Sequence, residues 1–110
     1  MNQRLKAEHL QQLDSDQQES LRSQWTPQEG EYMLFADQEE MIYYLNGVEK
    51  HRSLPLLNIG QMIDYLSGSD ASFKMQFDSD VWKISLSGQS YQDDDLCDVL
   101  WEVMKGILSQ

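Results

Sequence analysis

Apolar residues recur at helical spacing most regularly near the C-terminal end of the chain, between Asp93 and Leu108. Wound at about 100° per residue, Val99, Val103, Leu96, Ile107, Leu100, Met104, Cys97, Leu108 and Trp101 fall on one continuous arc of roughly 200°. Asp98, Glu102 and Lys105 share the remaining sector. A helix resting on one surface needs an apolar stripe only a little over about 100° wide, so this one is expected to be covered from more than one side.

Upstream the period changes from helical to alternating. Phe73, Met75 and Phe77 alternate with Ser72, Lys74 and Gln76, Asp78-Ser79-Asp80 supplies a turn, and Trp82, Ile84 and Leu86 alternate with Lys83 and Ser85. That pattern predicts a hairpin with one buried and one wet face, followed by a loop from Gly88 to Gln92. Two earlier runs, Glu31 to Ala36 and Met41 to Leu45, flank Asp37-Gln38-Glu39-Glu40 and predict a second hairpin with a four-residue loop. Asn46-Gly47 is the strongest two-residue hairpin dipeptide, so a short third strand from Val48 to Arg52 is expected to fold back. Asn58 as N-cap with Gln61 at N3 predicts a helix whose buried face is Ile59, Met62, Ile63 and Leu66, stopped by Ser67-Gly68-Ser69-Asp70. Residues 2 to 24 are polar and rich in glutamine, with Leu10, Leu13, Leu21 and Trp25 near one helical face. Ser15 followed by Gln18 has the form of a capping box and predicts a helix from Asp16 to Gln24, ended by Thr26-Pro27-Gln28-Glu29-Gly30.

These elements specify an α+β fold: an N-terminal helical arm over residues 1–24, then a single α+β domain over residues 25–110. Two β-hairpin–helix units form a mainly antiparallel sheet with two helices packed on one face. The two halves overlay at an offset of 41 residues. Two explanations stay open: a duplicated ββα unit over residues 31–67 and 72–108, or two unrelated units of similar length. The first hairpin is apolar on both sides. With Tyr32, Leu34, Met41, Tyr43 and Leu45 toward the helices, Met33, Phe35, Ile42 and Tyr44 face away and need cover. Either the N-terminal helix supplies it through Leu13, Leu21 and Trp25, or a second subunit or another protein does. Met33, Phe35, Ile42 and Tyr44, with Trp101 at the edge of the last helix's arc, are therefore the candidate partner-binding residues.

Charge narrows the partners. The net charge is −11, and residues 25 to 110 hold fifteen acids against five bases. Such a surface repels nucleic acid and anionic membranes, which are both bound through Lys and Arg. The acids serve either as ordinary solubility charge or as a mimic of nucleic acid directed at a basic partner. A chain of 110 residues is long enough for one domain that needs no metal or disulfide staple. The lone Cys97 lies on the apolar arc and suits a reducing compartment. No apolar run matches a signal peptide or a membrane span, so a cytoplasmic protein is expected.

Candidate chemistry is sparse. His9 and His51 stand in polar surroundings, away from any metal or triad spacing, and each is expected to face solvent. Cys97 has no nearby base, and the carboxylates around it oppose thiolate formation. Asp93, Asp94, Asp95 and Asp98 suit a hard cation in principle. The first three are fully explained as helix-start acids that satisfy unpaired amides. Asp78-Ser79-Asp80 and Asp14-Ser15-Asp16 lack the glycine of a calcium loop. Neither an enzyme nor a bound metal or cofactor is expected.

The stretches Trp25-Thr26-Pro27-Gln28-Glu29-Gly30-Glu31, Leu54-Pro55-Leu56-Leu57-Asn58-Ile59-Gly60-Gln61-Met62-Ile63 and Asp95-Leu96-Cys97-Asp98-Val99-Leu100-Trp101-Glu102 resemble a group of small acidic proteins of Gram-positive bacteria and their phages. That group has no assigned activity, so the resemblance implies a cytoplasmic or prophage setting and no catalytic residue. The expected function is a non-enzymatic protein–protein interaction module, working as a homodimer or an adaptor. The alternative is an acidic inhibitor, a nucleic-acid mimic or immunity-type protein, of a basic partner.

Overall fold

A computed structural model describes residues 2–110. Contacts divide the chain into two compact units. One runs from Leu5 to Leu57 with Ser109, and the other comprises the residues up to Arg4, Asn58–Leu108 and Gln110.

The unit from Leu5 to Leu57 contains α1 (Ala7–Leu10), α2 (Ser15–Ser23), β1 (Tyr32–Phe35), β2 (Gln38–Met41) and β3 (Ser53–Pro55), with 3-10 turns at Leu45–Gly47 and Lys50–Arg52. Its strands form an antiparallel sheet in the order β2-β1-β3. Asp14, rather than Ser15, caps α2: its Oδ1 accepts from the Gln17 amide at 2.8 Å, and Gln17 Oε1 accepts from the Asp14 amide at 2.9 Å. Both residues lead an x-x-Gln box, and a carboxylate adds an attraction to the positive end of the helix dipole. Leu10, Leu13, Leu21 and Trp25 are all buried, so the leucine stripe packs instead of fraying. Helix α2 packs on β3, and Arg22 Nε donates to the Ser53 carbonyl at 3.0 Å.

The β1–β2 connection differs from the expected four-residue loop. Ala36 and Asp37 take positive φ of 49° and 64°, the signature of a two-residue type I′ turn, and Phe35 pairs with Gln38. A four-residue loop would have paired Ala36 with Met41 and set Tyr43 opposite Leu34. The tight turn slides the second strand so that Glu39 stands opposite Leu34 instead. The slide is an even number of residues, so each side chain keeps its face while its position along the sheet changes. Strand β2 therefore consists of Gln38, Glu39, Glu40 and Met41, and its ladder ends where the Ile42 amide donates to the Glu31 carbonyl at 2.8 Å.

Asn46-Gly47 makes no hairpin. Neither residue has positive φ, and both lie in a 3-10 turn. The third strand is Ser53–Pro55 rather than residues 48–52, and it pairs with β1 on the side away from β2.

The second unit contains α3 (Ile59–Ser69), β4 (Lys74–Asp78), β5 (Val81–Leu86), β6 (Gln89–Asp93) and α4 (Leu96–Leu108). Asn58 caps α3 as expected, with reciprocal bonds of 2.7 and 2.8 Å to Gln61. Met62 and Leu66 are fully buried, while Ile59 and Ile63 are half-buried. The predicted hairpin is present, with Ile84 and Leu86 buried and Phe73, Met75 and Trp82 half-buried, but Phe77, expected on the buried face, is exposed. The hairpin continues through a second tight turn, at Ser87-Gly88 (φ 51° and 79°), into β6, where a loop was expected. Helix α4 packs against α3, β5 and β6, and Leu96, Cys97, Val99, Leu100, Trp101, Val103, Met104 and Leu108 are all buried. The broad apolar arc is thus covered from more than one side.

The fold is α+β, with two three-stranded antiparallel sheets in place of one. Helix α3 belongs to the unit built on β4, β5 and β6 and not to a unit with the first hairpin. The first strand is central in one sheet and the second strand in the other, so the offset that overlays the hydrophobic positions does not overlay the pairing.

Candidate interaction surface

The five residues singled out from the sequence part company in the structure. Met33 is 8% exposed, Ile42 2% and Trp101 1%, and Phe35 is half-buried. Only Tyr44, at 75%, faces solvent. Met33 and Phe35 lie two apart on β1, Ile42 stands opposite Glu31, and all three share a face on which Trp25 and Val48 complete a cluster. Of the two covers left open for this face, the chain's own Trp25 is the one that packs on it, and Met33, Ile42 and Trp101 are buried. Phe35 is further covered by the Arg52 guanidinium, 5.1 Å from the ring centroid. Within this cluster the Trp25 indole Nε1 is buried with no acceptor among the described residues.

The residues that reach solvent are those the tight turn pushed past the end of the sheet. Tyr43 is 70% exposed and Leu45 46%, although the alternation had placed both on the inner face. With Tyr44 they form a continuous exposed run, Tyr43-Tyr44-Leu45, directly beyond the last ladder bond. At about 150–250 Å² per aromatic side chain, the two tyrosines leave on the order of 300 Å² uncovered. Gly30, whose amide donates to the Ile42 carbonyl at 2.8 Å, anchors the base of the run beside Glu29 and Glu31. Its φ of 88° is left-handed, a conformation natural to glycine, so this bond is built into the Pro27–Gly30 turn.

Phe77 is another large exposed aromatic, at 55%, and its exposure has a local explanation. It pairs across the strands with Trp82, ring centroids 4.9 Å apart at 49°, and so stabilises its own hairpin. Tyr43 and Tyr44 have no such ring partner among the described residues.

Reactive groups are accounted for by local structure. Asp95 Oδ1 accepts from the Asp98 amide at 3.0 Å, Asp95 Oδ2 from the Asn2 amide at 3.3 Å, and Asp93 Oδ1 from the Asp95 amide at 2.8 Å. These carboxylates close the start of α4. Cys97 is fully buried. His9, expected in solvent, is 7% exposed, and its Nδ1 accepts from the Lys6 amide at 2.9 Å. That bond belongs to the one-turn helix α1, too short for its period to show in the sequence. His51 is exposed. Asp70 accepts from the Ser72 amide at 2.8 Å, from Ser72 Oγ at 2.7 Å and from Ser87 Oγ, and these bonds hold its carboxyl below the usual carboxylate range. The network ties the end of α3 to the β5–β6 turn, because the Ser87 amide donates to Ser72 Oγ at 2.8 Å. The second sheet carries an open groove of mixed polar and apolar lining, among it Lys74, Gln76, Lys83 and Tyr91. Lys83 also meets Asp78 at 3.4 Å. Among the described residues, no helix is long and apolar enough to cross a membrane. No family model matches the chain, and neither a curated protein nor a solved structure matches it.

Proposed function

We propose that this protein is a non-enzymatic, cytoplasmic interaction module that binds another protein chain through Tyr43, Tyr44 and Leu45. The observation that carries the reading is the exposure of the two tyrosines, 70% and 75%, the highest of the large hydrophobic side chains among the described residues. The hydrophobic pattern alone would place these residues inside a sheet. The fold instead gives that position to Glu39 and Glu40 and leaves the tyrosines outside. A local rule broken without a structural gain is where function is expected. Tyrosine also suits the role, since it offers a large contact area with few rotatable bonds and is enriched at binding hot spots.

Burying about 300 Å² of apolar surface supplies roughly 7 kcal/mol before association costs. Those costs are themselves about 4–15 kcal/mol. The patch is therefore the centre of an interface and not the whole of it. Selection of a displayed random peptide library on the wild-type chain, with the Tyr43→Ser plus Tyr44→Ser variant as counter-target, tests the reading. Clones that bind the wild type and are lost on the variant support it. A selection in which every enriched clone binds both equally well refutes it. The variant is expected to stay within about 0.5 kcal/mol of wild-type stability, because both side chains are surface groups.

A further inference from the structure

The charge around the tyrosine run says which partner chemistry it fits. From Ser23 to Glu49 the chain carries six acids, Glu29, Glu31, Asp37, Glu39, Glu40 and Glu49, and no Lys, Arg or His. The fold sets two of them at the root of the run. The Ile42 amide on the Glu31 carbonyl and the Gly30 amide on the Ile42 carbonyl, both 2.8 Å, bring residues 29–31 alongside Ile42 and Tyr43. Glu40 lies two residues before Ile42 on β2, opposite Met33. Some of the acids are already committed: Glu31 Oε1 accepts from the Gln28 amide, Glu39 Oε2 from the Ala7 amide, and Glu49 pairs with Arg52. Glu29 and Glu40 are exposed and have no cationic partner among the described residues. The basic residues next in sequence, Lys50, His51 and Arg52, follow on a 3-10 turn, and Arg52 is held by Glu49 and the Phe35 ring.

From this arrangement we infer that the Tyr43-Tyr44-Leu45 run docks a cationic, arginine-bearing segment of a partner protein, a conclusion that rests on the interaction reading above. The tyrosine ring faces attract guanidinium groups through their quadrupole, and arginine also stacks on them as a plane. Glu29 and Glu40 supply the counter-charge that draws such a segment in and sets its register. A second copy of this chain fits less well. An isologous contact brings together two copies of the same patch, so two acidic surrounds of like sign are drawn into one interface.

Titration of the isotopically labelled full chain, followed by amide chemical shifts, tests the inference with two capped pentapeptides. One is Gly-Arg-Gly-Arg-Gly, and the other replaces each arginine by its neutral isostere citrulline. The arginine peptide is expected to shift the amides of residues 29–31 and 43–45 selectively, and the citrulline peptide to leave them in place. Tyr43→Ala plus Tyr44→Ala, which leaves the net charge unchanged, is expected to weaken binding about tenfold. Glu29→Gln plus Glu40→Gln is expected to weaken it by a similar factor that shrinks as salt is added. Equal shifts at remote acids such as Asp78, Asp80 and Asp94, or undiminished binding by the alanine variant, would overturn the proposal. Light scattering on the same samples separates the two conclusions. A dimer lost in the alanine variant, without selective arginine binding, overturns the basic partner and leaves an interaction surface in place. Library clones that are tyrosine-dependent but uncharged do the same.

Discussion

Replacing Ala36 by glycine tests the register on which the exposed tyrosine run depends. Ala36 has a φ of 49° in the β1–β2 turn, where an L-residue with a Cβ costs about 1–2 kcal/mol. Glycine removes that cost and gives back about 0.4–1 kcal/mol, because the unfolded chain gains freedom. Ala36 is exposed, so no packing is lost. The balance is a stabilisation on the order of 0.5–1 kcal/mol, which for a domain of about this size raises Tm by roughly 2–6 °C. Ala71→Gly is the matched control: Ala71 is exposed, lies outside the positive-φ positions, and so meets only the entropic loss. Thermal and urea unfolding by circular dichroism should therefore move the two variants in opposite directions. If Ala36→Gly is destabilised as much as Ala71→Gly, the tight turn is wrong. The alternative four-residue loop would then set Tyr43 opposite Leu34 inside the sheet, and the candidate surface would disappear with it.

Asp70 should contribute to the acid dependence of stability through one network. Its carboxyl is held below the ordinary 3.8 by hydrogen bonds from Ser87 and Ser72, so its contribution is complete above that ordinary value and fades as pH falls through the depressed one. Asp70→Asn should flatten the wild-type fall in Tm below about pH 4 while changing its slope near neutrality little; parallel curves would show that Asp70 is not so held. Asn58→Ala breaks the reciprocal cap of α3 and should lower stability by about 1 kcal/mol, read from the urea midpoint at unchanged m-value. Trp25→Phe removes a buried donor that lacks an acceptor among the described residues, which offsets the lost ring volume, so it should fall within about 1 kcal/mol of wild type. Met33→Ala in the same cluster should cost about 2–5 kcal/mol. Equal losses for the two would show that the indole N–H is satisfied in solution.

The elements that could be read from the sequence are those whose periodicity is long or whose caps are specific. Thirteen residues of α4 display more than three helical turns, and its broad arc correctly required cover from several sides. The Asn58–Gln61 box located α3, and strict alternation located β4 and β5. Strand β6 escaped because, of the three residues it places on the buried side, Gln89, Tyr91 and Asp93, only Tyr91 is apolar, so there is no hydrophobic alternation to see. The α2 cap moved by one residue because Asp14 and Ser15 both lead an x-x-Gln box.

Register was the decision that only tertiary structure made. The sequence determined an α+β chain, its three longer helices, the strands β4 and β5 and an acidic composition, because periodicity, capping and charge are local properties. It also identified the apolar outer face of the first hairpin and named the N-terminal helix and a partner as its two possible covers. Choosing between them required knowing where Trp25 lands, and locating the exposed run required knowing that Ala36-Asp37, not Asn46-Gly47, makes the turn. A strand slid by an even number of residues keeps its hydrophobic faces, so alternation cannot distinguish the two registers. What separates them is what lies alongside: a third strand on the far edge of β1, Trp25 packed on Met33 and Ile42, and Glu39 bonded to the Ala7 amide. These long-range contacts bury Met33 and Ile42 and leave Tyr43 and Tyr44 in solvent.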